Sequence, residues 1–471
     1  MSFFSGLDFF ITLIIAIIPA IVIGLNGKSL RYYRGFLTCI FIYLIYRNSL
    51  MELAFLTGYS AMSLGLVKLY LLSRIKMGRN KFFYASAVII TLCPLILSKL
   101  ESFVGHGFFG SGSTIFGFLG LSYIFFRVIQ TIIEIYDGII NEIKWYEFLE
   151  FLLFFPTLSS GPIDRSRRFS QDYSKIYTGK EYSELLSNGI VKIMWGLLYK
   201  LPLSGTAMYI MNTYMINKYD PIHIIGYAYS YGLYMFFDFA GYSDMAIGLS
   251  EMFGYHCMEN FNYPYMTESV AKFWRRWHIS LSQWFRDYIY IPLGGSRTKS
   301  KGRVYINMLA VWLATGIWHG AAWNFVVWGL GFFILIAFEK VTGFPDTFKS
   351  KGMKIAYRIF TLFFINFEWV IFRAKDLKTA VIYIQNMFMF QKHTISDLRT
   401  MFIIKDYFWI ILFAIVLSFP VVSNLRKRFE GKEELCRIYD AVIGILVIVL
   451  FIWAITFAVV GQNNPFAYAN F

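Results

Sequence analysis

Long runs almost free of charge constrain this chain more than any single motif does. Leu7–Leu25 carries one charged side chain, Asp8, and Tyr439–Val460 carries one, Asp440. In hydrocarbon a backbone has to satisfy its own N–H and C=O groups, so runs of this kind become membrane-spanning helices. Further candidate spans are Phe36–Tyr46, Met51–Leu72, Phe83–Leu100, Ile115–Tyr136, Ser183–Met211 and Ile222–Met252. Val304–Trp318, Trp323–Phe338, Ile355–Phe372 and Tyr407–Val421 complete the set. The run Trp145–Leu158 is short and broken by Pro156, which predicts a re-entrant or interfacial helix. A mean hydropathy of +0.53 and a charged fraction of 15% exclude an ordinary soluble domain. The expectation is an all-α polytopic integral membrane protein, one domain over 1–471 with its core motifs within 117–338.

The net charge of +15 points to membrane topology and lipid head groups rather than to nucleic acid. Basic clusters follow the spans: Lys28/Arg31/Arg34, Arg74/Lys76/Arg79/Lys81, Arg165/Arg167/Arg168, Arg297/Lys299/Lys301/Arg303, Lys349/Lys351/Lys354 and Arg426/Lys427/Arg428. The Gly-rich connection Glu101–Thr114 has no Lys or Arg. Placing the basic clusters in the cytoplasm gives a consistent path with both termini outside. On that path the chain reverses near His319, at a hairpin apex or inside the membrane. The first run exceeds a signal-peptide core and is read as a retained span. Four cysteines, Cys39, Cys93, Cys257 and Cys436, form neither a CxxC pair nor a Cys/His cluster.

Ionisable groups within apolar runs are functional candidates by default. Arg127, Gln130 and Glu134 share one helix face, either as an internal pairing between helices or as part of a substrate path. In FFDFAGYSDMAIG, Asp238, Tyr242, Ser243 and Asp244 surround Gly241. Unwinding at Gly241 would let these groups line a polar cavity; packing and capping are the alternative. Glu368 and Arg373 in FEWVIFRA mark a membrane boundary. In FFPTLSSGPIDRSRRF, Asp164 can pair with Arg165 or Arg168.

The richest stretch is Trp274–Gly329, which holds seven of the twelve tryptophans and two of the six histidines. His106, His223 and His393 fall in connections or at a span edge, and His256 is interfacial. His278 falls on an amphipathic pattern with Trp274, Trp277, Leu281, Trp284 and Tyr288 along one face. Arg275, Ser282 and Arg286 face the other way, which predicts a helix along the cytoplasmic interface. His319 differs: Gly316 and Gly320 flank it, Ala321 and Ala322 follow, and Trp318, Trp323 and Trp328 supply an apolar wall. Small neighbours let backbones approach closely. A neutral imidazole in such a place is suited to take a proton from an acceptor hydroxyl; a satisfied core histidine is the alternative. No HExxH spacing, phosphate loop, GxSxG elbow or nucleophilic cysteine is present, so metal chemistry is not expected.

Together, WRRWHISLSQWFRDYIYIPLGGS, TGIWHGAAWNFVVWG, FFDFAGYSDMAIG and GPIDRSRRF resemble the membrane-bound O-acyltransferase (MBOAT) family, in the family's order and over most of the chain. FLGLSYIFFRVIQTIIEIYDG, SGPIDR and NNPFAYANF are similar to its DltB-type branch, which serves teichoic acid D-alanylation. IYIPLGGSR is closer to the polysaccharide O-acetylase branch of alginate type. The resemblance implies a ring of about 11–13 transmembrane helices, with re-entrant and interfacial helices around a thin central layer. It implies a multi-pass protein of the cell membrane with no bound cofactor. The D-alanyl donor would be the phosphopantetheine arm of a DltC-like carrier protein, and the acceptor a hydroxyl across the membrane. A DltD-like protein and a small single-span membrane partner are further implied partners. His319 corresponds to the essential histidine, acting as general base, and His278 to a supporting position. Asp238, Tyr242, Ser243, Asp244, Trp318, Trp323, Arg127 and Glu134 are tunnel candidates. Trp284, Arg286, Tyr290, Arg297, Arg165 and Arg168 are carrier-docking candidates. O-acetylation of a cell-surface polysaccharide is the alternative, and a permease or flippase is a third reading.

Overall fold

The computed structural model describes residues 7–104, 120–159, 161–215, 221–298, 300–320, 322–389 and 398–459. NNPFAYANF, His106, His393, Lys299, Ala321 and much of the Glu101–Thr114 connection lie outside the described residues.

No strand occurs among the described residues. The first helices are α1 (Leu7–Leu25), α2 (Arg31–Tyr46), α3 (Leu50–Met77), α4 (Lys81–Val104), α5 (Leu121–Tyr136), α6 (Trp145–Leu153) and α7 (Ser166–Tyr173). Then come α8 (Gly179–Leu198), α9 (Ser204–Tyr214), α10 (Pro221–Met252), α11 (Val270–Trp274), α12 (Ile279–Phe285) and α13 (Lys301–His319). The chain continues through α14 (Trp323–Thr342), α15 (Lys351–Arg373), α16 (Leu377–Phe388), α17 (Leu398–Leu417), α18 (Val421–Lys427) and α19 (Glu433–Val459). Five helices among the described residues are long and apolar enough to cross a membrane, or six if the bent pair α17–α18 is one span. This is fewer than the twelve candidate runs. α2 and α5 are too short, and α10 dilutes its 32 residues with tyrosine, glycine and acids.

Contacts divide the chain into two compact units, the first within 1–193 and 242–259, the second within 194–241 and 260–467. In the first, α5 is the centre: nearly every side chain from Leu121 to Ile135 is buried, whatever its direction. A helix enclosed all round has to satisfy its polar side chains inside the protein. Arg127 does so by donating to the carbonyls of Phe151, Leu152 and Thr157 at 2.7–2.9 Å. Gln130 donates to the Asp164 carbonyl at 2.9 Å, and Glu134 accepts from Ser166 Oγ at 2.8 Å. Arg127 and Gln130 hold the segment between α6 and α7 by its backbone, and Glu134 holds the start of α7 by a side chain. Arg34 makes a second clamp. It is buried in α2, not part of a cytoplasmic loop as the charge pattern predicted, and pairs with Glu150 at 2.6 Å. It also donates to the carbonyls of Phe253 and Tyr173.

In the second unit the run expected as one span over Ser183–Met211 is interrupted. A π-helical turn, Tyr199–Leu203, separates α8 from α9. Pro202 lies within it; proline has no N–H to donate and its ring crowds the preceding turn, so the ladder widens there. Lys200 from this turn is buried and paired with Asp238, which also accepts from Ser204 Oγ at 3.3 Å. The predicted unwinding at Gly241 is not found, because α10 is continuous through it. A Cβ at Gly241 would meet the Gly196 carbonyl oxygen at 2.6 Å and the Lys200 nitrogen at 2.7 Å, so the glycine serves close helix packing.

Candidate active site

α13 and α14 form a hairpin whose helices nearly touch. A Cβ at Gly316 would meet the Phe325 carbonyl oxygen at 2.6 Å, and one at Gly329 the Trp312 carbonyl oxygen at 2.6 Å. Only glycine allows that approach, and it fixes His319 at the last turn of α13, buried. Three rings box its imidazole: Trp318 at 4.7 Å, Trp328 at 5.0 Å and Phe372 at 5.1 Å between centroids, all edge-on. Trp328 and Phe372 are fully buried, whereas Trp323 is 62% exposed. Phe372, at the end of α15, supplies the third ring; no spacing near His319 indicates it.

His278 is held differently. The long amphipathic helix predicted through Trp274 and Tyr288 is in fact three pieces: α11, a turn, then α12 followed by a π-helical turn at Arg286–Tyr290. His278 occupies the break with φ 44° and ψ 54°, a left-handed conformation that costs a non-glycine residue about 1 kcal/mol or more. The neighbourhood compensates through Asn260, which is fully buried. Its Oδ1 accepts from the Ser280 N–H at 3.2 Å and Ser280 Oγ at 2.9 Å, and its backbone carbonyl accepts from the Ile279 N–H at 2.9 Å. A backbone N–H can only donate, so the Asn260 atom facing it is the oxygen. His278 Nδ1, 3.1 Å from the same oxygen, therefore carries the proton, and Nε2 carries the lone pair. That Nε2 is buried without a hydrogen-bond partner among the described residues. Burial pushes the imidazole down to about 3, so it stays neutral. Asn260 was not singled out in the sequence; ENFN carries no signal beyond a polar loop.

The two histidines belong to one aromatic network. From Trp277, beside His278, rings run through Trp369 at 5.1 Å and Phe372 at 5.6 Å to His319. From Trp274 a second path reaches His319 through Trp328, at 5.7 Å. Trp274, Trp277 and Trp284 are buried core side chains, not an interfacial stripe. The indole Nε1 groups of Trp274, Trp328 and Trp369 and the Glu368 Oε2 also lack protein partners among the described residues. Buried polar atoms are normally paired, so these unmet ones set the region apart from an ordinary apolar core. Glu368 thus lies inside α15 and only Arg373 at its boundary.

The other candidates are placed as follows. Asp238 is engaged by Lys200, and Asp244 by Lys192 at 3.5 Å. Tyr242 bonds Ser159 through their hydroxyls, and Ser243 is buried beside it. Arg127 and Glu134 serve the α6–α7 loop described above. Arg168 pairs with Asp164 at 2.8 Å and Arg165 reaches Gln130 at 3.4 Å, so both are turned inward. Trp284 is buried, while Arg286 and Arg297 are exposed and Tyr290 bonds Ser296 at 2.8 Å. Burial pushes the Cys257 thiol up to about 12, away from the thiolate form that a nucleophile needs.

Comparison with known proteins bears on this arrangement. The MBOAT, membrane-bound O-acyltransferase family profile matches residues 133–384, a range that holds both histidines and Asn260. The chain belongs to the membrane-bound O-acyltransferase family. It is 37% identical to a teichoic acid D-alanyltransferase of Bacillus subtilis over 394 residues, covering 80% of this chain and 98% of that protein. It is 35% identical to the teichoic acid D-alanyltransferase of Lacticaseibacillus rhamnosus, over 70% of this chain and 84% of that one. A probable alginate O-acetylase of Azotobacter vinelandii is 35% identical over 60% of this chain and 56% of its own length. The protein is thus a multi-pass membrane acyltransferase, and a permease reading falls away.

Proposed function

We propose that this acyltransferase moves D-alanine from a phosphopantetheine thioester on a cytoplasmic, DltC-like carrier protein to a hydroxyl on the far side of the cell membrane, for teichoic acid D-alanylation. The observation that carries the reading is His319, buried in an aromatic box at the apex of a glycine-locked hairpin, in a chain similar over most of its length to two teichoic acid D-alanyltransferases. His319 acts as general base. It takes the acceptor proton as the hydroxyl oxygen attacks the thioester carbonyl, and returns that proton to the departing thiolate as the C–S bond breaks. The aromatic wall keeps water from competing for the thioester. His278 supports the reaction as a fixed acceptor: its neutral Nε2 orients a donor group of the substrate. Its low proton affinity suits it poorly to carry the proton itself.

Exposed Arg286 and Arg297 dock the acidic carrier, with Tyr290 between them, and a DltD-like protein with a small single-span partner takes the product onward. The test uses the purified protein, the carrier loaded with radiolabelled D-alanine, and a hydroxyl acceptor. Label should move to the acceptor with the wild type and stay on the carrier with His319→Ala. Transfer that survives in His319→Ala removes the histidine from its role. A second reading, O-acetylation of a polysaccharide, is favoured by the segment IYIPLGGSR and by similarity to alginate O-acetylases. Acetyl transfer with no D-alanyl transfer in the same assay establishes it instead.

A further inference from the structure

An apolar cavity of about 430 Å³ lies within the second unit, walled by α9, α10, α15 and α17. It is long. On α17 its wall runs from Ile403 to Phe419, about 24 Å at the helical rise, and on α9 from Leu203 to Tyr214, about 16 Å. Phe419 sits in the 55° bend between α17 and α18. No charged side chain lines the space. Three of its polar groups are engaged with nearby backbone. Asn366 donates to the Leu362 carbonyl at 2.8 Å, Ser418 to that of Ala414 at 2.9 Å, and Tyr265 to that of Gly232 at 2.7 Å.

Protein interiors leave few voids larger than one water molecule, and a water needs two to four polar partners to stay. A space of this size with an apolar lining is therefore filled by hydrocarbon. Its surroundings supply it: α15 and the bent pair α17–α18 are among the helices apolar enough to cross a membrane. Ile415 and Tyr229 line the cavity and are also exposed, so it opens on the lipid-facing surface of those helices.

We propose that this cavity binds one acyl chain of a membrane phospholipid, held as a structural part of the protein and not as a substrate. The inference goes beyond the acyl-transfer reading and stands apart from it. Shape selects the occupant. Spread over a length of about 16–24 Å, this volume is one hydrocarbon chain wide, whereas a helix with its side chains is about 10–12 Å across. A partner's helix is too thick. One leaflet of a bilayer core is about 15 Å deep, which an extended acyl chain fills. Ala207 and Ala414, both buried, leave the room for it. A free fatty acid would bring a carboxylate that no cation in the lining answers, while a phospholipid keeps its head group outside. The inner wall gives the chain a structural role. Tyr265 lines the cavity and packs its ring at 6.2 Å on Trp277, the neighbour of His278. A resident chain thus braces the aromatic network from outside the site.

The test is photolabelling of the full-length protein in phosphatidylglycerol vesicles that contain a trace of phospholipid with a diazirine in its chain. Peptide mapping should place saturable label on Ala207, Ile410 and Ala414, competed by unlabelled phospholipid. In Ala414→Trp, which fills the space, that label should fall at least tenfold. Label on Trp409 and Leu412, exposed on the outer face of α17, should be unchanged in the same variant. Label confined to Trp409 and Leu412, or inner label indifferent to Ala414→Trp, overturns the site. Competition by a free fatty acid as strong as by phospholipid overturns the choice of phospholipid. Disulfide-linked dimers of Ile410→Cys in vesicles overturn it in favour of a second copy of this chain. Delipidated wild type should gain Tm on return of phospholipid and Ala414→Trp should not; equal gains in both also overturn the site. If Ala414→Trp fails to fold, the wild-type label map and its competition decide alone. None of these readouts involves acyl transfer.

Discussion

His278 and His319 both follow a tryptophan, and both are buried, yet they are held by opposite means. A polar network and a left-handed backbone fix His278: Asn260 dictates which nitrogen carries the proton, and the imidazole is held neutral. Around His319 stand three aromatic rings, and a close approach of two helices at glycine sets its place. The first arrangement fixes a lone pair in space. The second encloses the imidazole in apolar rings. A site that needs one oriented acceptor and one working base is served by that difference.

The comparison breaks first, and most, at His319. His319→Ala should lower kcat by about 10²–10⁴-fold, the usual contribution of a general base, with the fold intact by circular dichroism. Asn260 comes next. Asn260→Leu leaves the His278 Nδ1–H unmet in the interior, a loss of about 1–3 kcal/mol, and should cut kcat by about 5–150-fold. Asn260→Asp keeps an acceptor oxygen and adds a charge that favours imidazolium, so activity should largely return with its acid limb moved upward in pH. A purely structural asparagine gives no such shift in the profile.

Among the tryptophans, Trp328→Ala should cost about 3–5 kcal/mol of stability, the range for emptying a large aromatic site in a core. Trp323→Ala, at 62% exposure, should stay within about 1 kcal/mol; thermal unfolding of the pair measures the contrast. The smallest effect per step is in pH. The His278 imidazole has an ordinary value of 6.5 and a folded one of about 3, so the unfolded chain binds the extra proton between them. Stability is therefore whole above about pH 6.5 and falls toward pH 3, by up to about 1.4 kcal/mol per pH unit. Tm followed against pH should show this slope in the wild type and a shallower one in His278→Gln.

Much of the helical framework is written locally. α1 begins and ends where its apolar run does, and α13, α14, α15 and α19 depart from their runs by only a few residues. His319 was legible because small residues on both sides of a buried imidazole have a direct geometric meaning. The break at His278 was not, because the tryptophan spacing of a helix continues through Arg275–Trp277 and only tertiary hydrogen bonds to Asn260 pay for the left-handed residue. Arg34 was misplaced for a similar reason. Its position in a basic cluster looks like a loop until Glu150, more than a hundred residues away, is brought against it. Pro202 did carry a signal for the π-helical turn, and reading it as a break would have divided that span correctly. Asp238 and Asp244 stand out as acids in an apolar run, the first buried and the second partly exposed, but their partners Lys200 and Lys192 come from another helix and turn, which no local pattern supplies.

The indoles of Trp274, Trp312 and Trp328 lie with centroids 5.0–6.2 Å apart, in fixed and steeply inclined planes. At that spacing their electronic transitions mix, so the near-ultraviolet circular dichroism of this protein carries a signal of the trio rather than of scattered single chromophores. Trp328 is also in contact with His319. Anything that shifts the imidazole or tilts an indole changes that optical activity. The chain has in effect a label-free optical reporter beside His319, and any ligand that moves this ring can be followed in real time without attaching a dye.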